Sequence, residues 1–263
     1  MSETAIPNSN GDLWLFGYGS LIWKPPPHYD LRIPGSITGY VRRFWQASED
    51  HRGTPSSPGR VVTLIERAVF DALAAEPAAA VPDRVHGASY RIPAPHVDAV
   101  RAYLDLREIN GYSMRRTTFW PSPSPSSGPD DAAPPPPPVE GCLVYIGLPS
   151  NPQFLGRQSP QAVAEVIAGS AGPSGANAEY LFMLEAALMG LGEGSVDEHV
   201  RDLAERVRSL MKGGKGKGGR SGDGKDGDSE LKTQAVENEV ERIRSGESGR
   251  AGEETEKVSQ RER

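Results

Sequence analysis

LWLFGYGSLIWKPPP, Leu13 to Pro27, opens as a β-strand and cannot continue as a helix. Leu13 to Phe16 form an apolar strand run. Gly17-Tyr18-Gly19 then turns the chain, and Pro25, Pro26 and Pro27 follow, residues that lack the amide donor a helix interior needs. A dinucleotide-binding turn requires a third glycine where Ile22 stands, and a helix directly after it. Ser20 likewise lacks the G-x-S-x-G frame of a hydrolase elbow. What remains is a tight turn on a strand, whose successive N–H groups can point into one concavity. Such a concavity suits a carboxylate or a developing oxyanion, although an ordinary β-turn would have the same composition.

Outward from this turn, further strand runs follow at Ile37 to Gln46, Arg60 to Glu66, Val85 to Ile92, Met114 to Trp120 and Gly141 to Ile146. Helical periodicity comes after them. Ser159 before Pro160 starts one helix, and Asn177 caps a run with Leu181, Leu184, Leu188 and Leu191 on one face. Ser195 and Glu198 have the spacing of a capping box ahead of Val200, Leu203, Val207 and Leu210. Strands first and helices last, without regular β-α alternation, predict one α+β domain over residues 11–212, built on a small, mostly antiparallel barrel with flanking helices. Two segments read as insertions. Residues 67–84 are alanine-rich, and residues 121–138 hold nine of the 24 prolines and end in PPPPP. That second segment cannot prolong a strand, and it predicts a solvated polyproline spacer. Its run at 134–138 is a candidate ligand for a Pro-recognising partner.

Residues 213–263 carry 11 Lys or Arg against 12 Asp or Glu with almost no large apolar side chain, so a disordered charged tail is expected. A net charge of −6 with mixed signs provides no concentrated positive field for phosphate backbones, which argues against nucleic acid as a partner. No apolar run approaches the roughly 18 residues of a membrane span, and MSETAIPNSNGD does not read as a leader. Cys142 is the single cysteine, which rules out an intrachain disulfide and fits a reducing, cytoplasmic setting. The five histidines show no metal-ligand spacing, and no metal or cofactor is expected.

A second candidate site is a break in a pattern. In APHVDAVRAYLDLREINGY, residues 94–112, Val97, Val100 and Leu104 define an inward helical face whose next position is Glu108, before Asn110-Gly111 ends the helix. A carboxylate on a core-facing stripe needs a partner or a task. Partial dehydration and the negative helix end both favour its protonated form, the tuning a general base near neutral pH requires. The alternative is a salt bridge to Arg107 or another arginine. Arg52 and Arg60 flank a loop and could meet an anionic substrate. Arg42 and Arg43 are expected one in and one out on a strand, and Tyr145 either faces a cavity or fills it.

FGYGSLIWKP, RRFWQASEDHRGTPSSPGRVVTLIE, YLDLREINGY, LVYIG and AGPSGANAEYL, in that order over residues 13–190, resemble the ChaC class of glutathione-specific γ-glutamylcyclotransferases. The resemblance implies a compact β-barrel with flanking helices. It implies a substrate loop of Gly17, Tyr18, Gly19, Ser20, Leu21 and Ile22, and a catalytic acid/base at Glu108. The implied activity is a cofactor-independent lyase that turns glutathione into 5-oxoproline and cysteinylglycine. Arg52 and Tyr145 are further candidate substrate contacts. The two insertions and the tail depart from the family pattern, as do Ala176 and Ala178, where larger polar residues are usual. Cyclotransfer on other γ-glutamyl amines or peptides, and a non-catalytic scaffold of the same fold, are the competing readings.

Overall fold

The computed structural model describes residues 11–73, 81–107, 112–123 and 136–214, apart from the side chains of 105–107 and 214. Glu108, most of the proline-rich insertion and the tail from 215 lie outside the described residues. Seven strands carry the fold: β1 (Leu13–Gly17), β2 (Leu31–Thr38), β3 (Tyr40–Ser48), β4 (Gly59–Glu66), β5 (Arg84–Ile92), β6 (Ser113–Pro121) and β7 (Val139–Ile146). The helices are α1 (Arg67–Leu73), α2 (Val97–Arg107), α3 (Pro160–Gly169), α4 (Asn177–Met189) and α5 (Glu198–Gly214), and a small hairpin, β8 (Ala171–Gly172) with β9 (Gly175–Ala176), leads into α4.

Five strands close a barrel in the order β1-β5-β2-β6-β7. Its pairs are antiparallel except where β7 returns beside β1 in parallel, Leu15 opposite Leu143. The period of two along each strand sorts the side chains between two cores. Trp14 and Phe16 of β1, with Cys142, Val144 and Ile146 of β7, share a core with α3, α4 and α5. Leu13, Leu15, Leu143 and Tyr145 face the other way and pack with Val100 and Leu104 of α2. The expected stripe on α2 is therefore what seats that helix on the barrel.

Among the named strands β3 and β4 pair only with each other, with one further bridge from Gln46 to Phe154, and they lie between the barrel and the α3–α5 layer. The single strand expected from Ile37 to Gln46 is in fact two. Gly39, with φ +83°, breaks it, so that β2 stays in the barrel and β3 leaves it. The first half of β2 escaped the sequence reading because Pro34-Gly35 interrupts its strand pattern.

Arg42 and Arg43 are both buried, contrary to the expected alternation in exposure. Their side chains leave β3 in different surroundings, but both are covered. Arg42 donates to Asp197 Oδ2 at 2.8 Å and to the His86 carbonyl, while Arg43 lies over the Phe70 ring of α1 at 4.7 Å.

The helix starts follow the expected chemistry in one case of three. Ser159 Oγ accepts from Ala162 N–H at 3.2 Å with Pro160 in the first turn. Asp197, rather than Ser195, caps α5, its Oδ1 accepting from His199 and Val200 N–H at 3.1 and 3.2 Å. Ser195 Oγ donates instead to the Leu188 and Gly192 carbonyls. Asn177 does not cap α4 but is its first residue, and its amide is bonded elsewhere. The start of the 67–84 insertion forms α1, whose Phe70 packs with Val41, Trp45 and Ile65.

Candidate active site

The turn after β1 is shaped by three constraints. A Cβ on Gly17 would lie 2.7 Å from Leu21 Cβ, so only glycine lets the chain fold back so tightly. Ile22 N–H then closes a 3-10 turn on the Gly19 carbonyl at 2.9 Å, and the amides ahead of it are not used by that turn. Finally, Tyr90, fully buried on β5, donates its hydroxyl to the Leu21 carbonyl at 2.6 Å. The loop is thus pinned from inside the barrel.

Tyr18, Gly19, Ser20 and Leu21 of this loop line a cavity of about 280 Å³. Asp50, His51 and Arg52 reach it from the segment after β3, and Tyr145 reaches it from β7. Tyr103 of α2 and Tyr112 also line it, as do Ser174 of the β8–β9 hairpin and Tyr180 of α4. Residues far apart along the chain therefore meet where the two cores adjoin.

Arg52 is 5% exposed, with Nη1 donating to Ala176 O at 3.0 Å and to Glu179 Oε2 at 2.7 Å. Its guanidinium also lies 5.8 Å from the centre of the Tyr180 ring. Two further contacts hold this wall. Ser48 Oγ accepts from Arg52 N–H at 3.0 Å. Asn177, fully buried, accepts from Arg60 N–H at 2.6 Å and donates to Arg60 O at 2.7 Å, tying the start of α4 to β4. Gly175, at φ +104°, lies so close to Glu179 that a side chain there would collide with its carboxylate, which keeps the hairpin tight against the ion pair.

Of the residues expected from sequence, Tyr18, Gly19, Ser20, Leu21, Arg52 and Tyr145 meet in this one cavity. Gly17 supports the bend from the end of β1, and Ile22 is buried in the core with its N–H in the turn. Glu108 lies outside the described residues. Arg60 is not in the lining; it donates to Gln158 Oε1 and to the Pro58 and Gly59 carbonyls, and burial lowers its pKa. Sequence reasoning did not select Tyr180, Tyr103, Tyr112 or Ser174. Tyr180 stands beside the apolar stripe of α4, where nothing local separates a wall tyrosine from a core one. Among the described residues no group of three or more His, Cys, Asp or Glu is arranged to hold a metal ion.

The family described as ChaC-like protein matches residues 13–210. The chain belongs to the ChaC-like family. A relative from Schizosaccharomyces pombe, named glutathione-specific gamma-glutamylcyclotransferase, is 44% identical over 202 residues, covering 77% of this chain and 95% of its own. A relative of the same name from Saccharomyces cerevisiae is 41% identical over 204 residues, covering 70% and 88%. The crystal structure of the yeast gamma-glutamyl cyclotransferase specific to glutathione superposes with a TM-score of 0.66 at 36% identity, covering 76% of this chain and 97% of that one. In this ChaC-like chain the matched span contains the glycine loop, Arg52, Glu108, Tyr145 and every cavity residue named above.

Proposed function

We propose that this protein is a glutathione-specific γ-glutamylcyclotransferase that converts glutathione to 5-oxoproline and cysteinylglycine, with Glu108 as the general acid/base and no cofactor. The activity named for relatives at 41–44% identity supports the substrate and the reaction. The observation that carries the site is the convergence of the glycine loop, Arg52 and Tyr145 on one cavity that Tyr103 and Tyr112 also line. Those two tyrosines stand five residues before and four after Glu108 in the sequence, which supports assigning the base to this cavity. A cavity of about 280 Å³ is near the lower end of the range for ligand sites and suits a short peptide rather than a polymer.

In this reading the amides of Tyr18 to Leu21 hold the γ-glutamyl unit. Arg52 has Nε and Nη2 without a hydrogen bond among the described residues, and it offers them to a substrate carboxylate. Tyr145 supplies a further contact. Glu108 takes a proton from the substrate's α-amino nitrogen, which attacks its own γ-carbonyl carbon. A C–N bond forms in the five-membered lactam, the C–N bond to cysteinylglycine breaks, and the proton passes to the departing nitrogen. Because both reacting groups belong to one molecule, fixing the reactive conformer provides much of the rate. We assign the enzyme to the cytoplasm; its single thiol, Cys142, buried against Ser89, is consistent with a reducing setting.

The test is Glu108→Gln, which keeps shape and removes the base. Purified variant and parent are incubated with glutathione and 5-oxoproline is measured by mass. The expected loss is at least about 100-fold in turnover with an unchanged circular dichroism spectrum. Formation at the parental rate would overturn the assignment of Glu108.

A further inference from the structure

Tyr180, in the first turn of α4, is the side chain that joins the Arg52 wall to the glycine loop. Its ring packs edge-on to Trp23 and Phe44, with centroids 5.6 and 6.1 Å away, and beneath the Arg52 guanidinium. Trp23 itself closes the loop's 3-10 turn. The hydroxyl end reaches the bend of that loop: a Cβ on Gly19 would stand 3.3 Å from Tyr180 Oη. Tyr180 is only 8% exposed, and it lines the cavity. A phenol gripped on several sides has little freedom to move its oxygen, so the donor is already in position before any charge develops. Tyr103, by contrast, is 38% exposed on α2.

The glycine loop and this hydroxyl therefore border the same cavity, and hydrogen-bond donors brought together in this way suit an oxygen that gains negative charge. Resting on the cyclotransferase reading above, we propose that Tyr180 is a catalytic residue whose hydroxyl donates a hydrogen bond to the γ-carbonyl oxygen of the substrate. As the α-amino nitrogen bonds to the γ-carbon, the carbonyl π electrons move onto oxygen, and Tyr180 donates to it as the charge grows. When the bond to the leaving nitrogen breaks, those electrons re-form the carbonyl as the lactam. The proton removed from the α-amino nitrogen ends on the leaving nitrogen, and Tyr180 keeps its own. The same contact accounts for Gly19, since any side chain there would press on the donor and on Val62, whose Cγ1 would be 3.0 Å away.

The experiment compares the parent with Tyr180→Phe, which preserves the ring contacts and removes the hydroxyl. 5-Oxoproline release from glutathione gives kcat and KM, and thermal unfolding is followed in parallel. Loss of an oxyanion donor predicts a fall in kcat on the order of 100-fold, with KM and the unfolding midpoint little changed. Parental kcat, or a rise in KM alone, would overturn the proposal. Incorporation of 3-fluorotyrosine at position 180 decides the case if Tyr180→Phe does not fold. The more acidic phenol should shift kcat, and an unaltered kcat would again count against a catalytic hydroxyl. A parent that releases no 5-oxoproline removes both the function and this role, whereas an active parent with an equally active Tyr180→Phe removes only the role.

Discussion

Asn177 is fully buried and lies outside the cavity lining, yet both ends of its amide are committed to the backbone of Arg60. The bonds hold the start of α4 to β4, and with it Glu179 against Arg52 and Tyr180 against the loop. Replacing it by alanine leaves a backbone donor and acceptor with no partner in a largely dry place, a cost of about 2 kcal/mol. Asn177→Ala should lower the urea midpoint accordingly, while Asn177→Asp, which retains the acceptor but not the donor, should fall between. Equal midpoints for parent and Asn177→Ala would show that water replaces both bonds. Cys142 illustrates the opposite outcome for a polar atom. Burial pushes its thiol up to about 12, with Ser89 Oγ 3.2 Å away opposing the shift, so the thiolate that redox chemistry needs is not formed near neutral pH.

At the scale of elements, the irregularity in β3 is repaired by a helix. The β3–β4 register shifts between Arg43 and Gln46, and the Phe44 N–H in that gap donates to His199 Nε2 of α5 at 3.2 Å. The same end of α5 carries Asp197, which caps the helix with one oxygen and holds the buried Arg42 with the other. Strand bulge, helix start and buried charge are therefore one construction. Removing one partner of such a pair strands the other charge. Asp197→Ala should accordingly cost about 3–5 kcal/mol in denaturant unfolding, more than the loss of a cap alone. A cost near 1 kcal/mol would mean that Arg42 finds another anion.

Over the whole molecule, the buried polar groups make stability sensitive to acid. His199 is held neutral, its pKa pushed down to about 3 by burial and by the nearby Arg43 charge. The unfolded chain binds a proton at this residue from about pH 6.5 downward while the folded chain does not, so stability falls as pH drops from about 6.5 toward 3. The steepest contribution from one such group is about 1.4 kcal/mol per pH unit. His86, lowered by burial and by Arg42, adds a slope of the same sign. At Asp197 burial works against ionisation, but the Arg42 charge and the Val200 N–H outweigh it and the pKa is lowered. Its stabilisation is present above the ordinary aspartate range and is lost at still lower pH. Thermal unfolding of the parent should decline markedly between pH 7 and pH 4.5, and His199→Gln should flatten that decline. Parallel curves would exclude His199 as the source.

The sequence by itself determined what depends on near neighbours along the chain. The turn at Gly17 to Gly19, the α2 stripe of Val100 and Leu104, the Ser159 cap and the α+β order follow from glycine geometry, periodicity and capping chemistry, which act over a few residues. The carboxylate at Glu108 stood out for the same reason, as a break in a local pattern. Only the tertiary structure decided that Tyr180 would meet Gly19, that Asn177 would bond Arg60 instead of capping α4, and that both Arg42 and Arg43 would be covered. Those pairings join residues 117 or more positions apart in the cases of Asn177–Arg60 and Arg42–Asp197. At such separations packing of whole elements sets the distance, and no short-range preference of the residues carries that information.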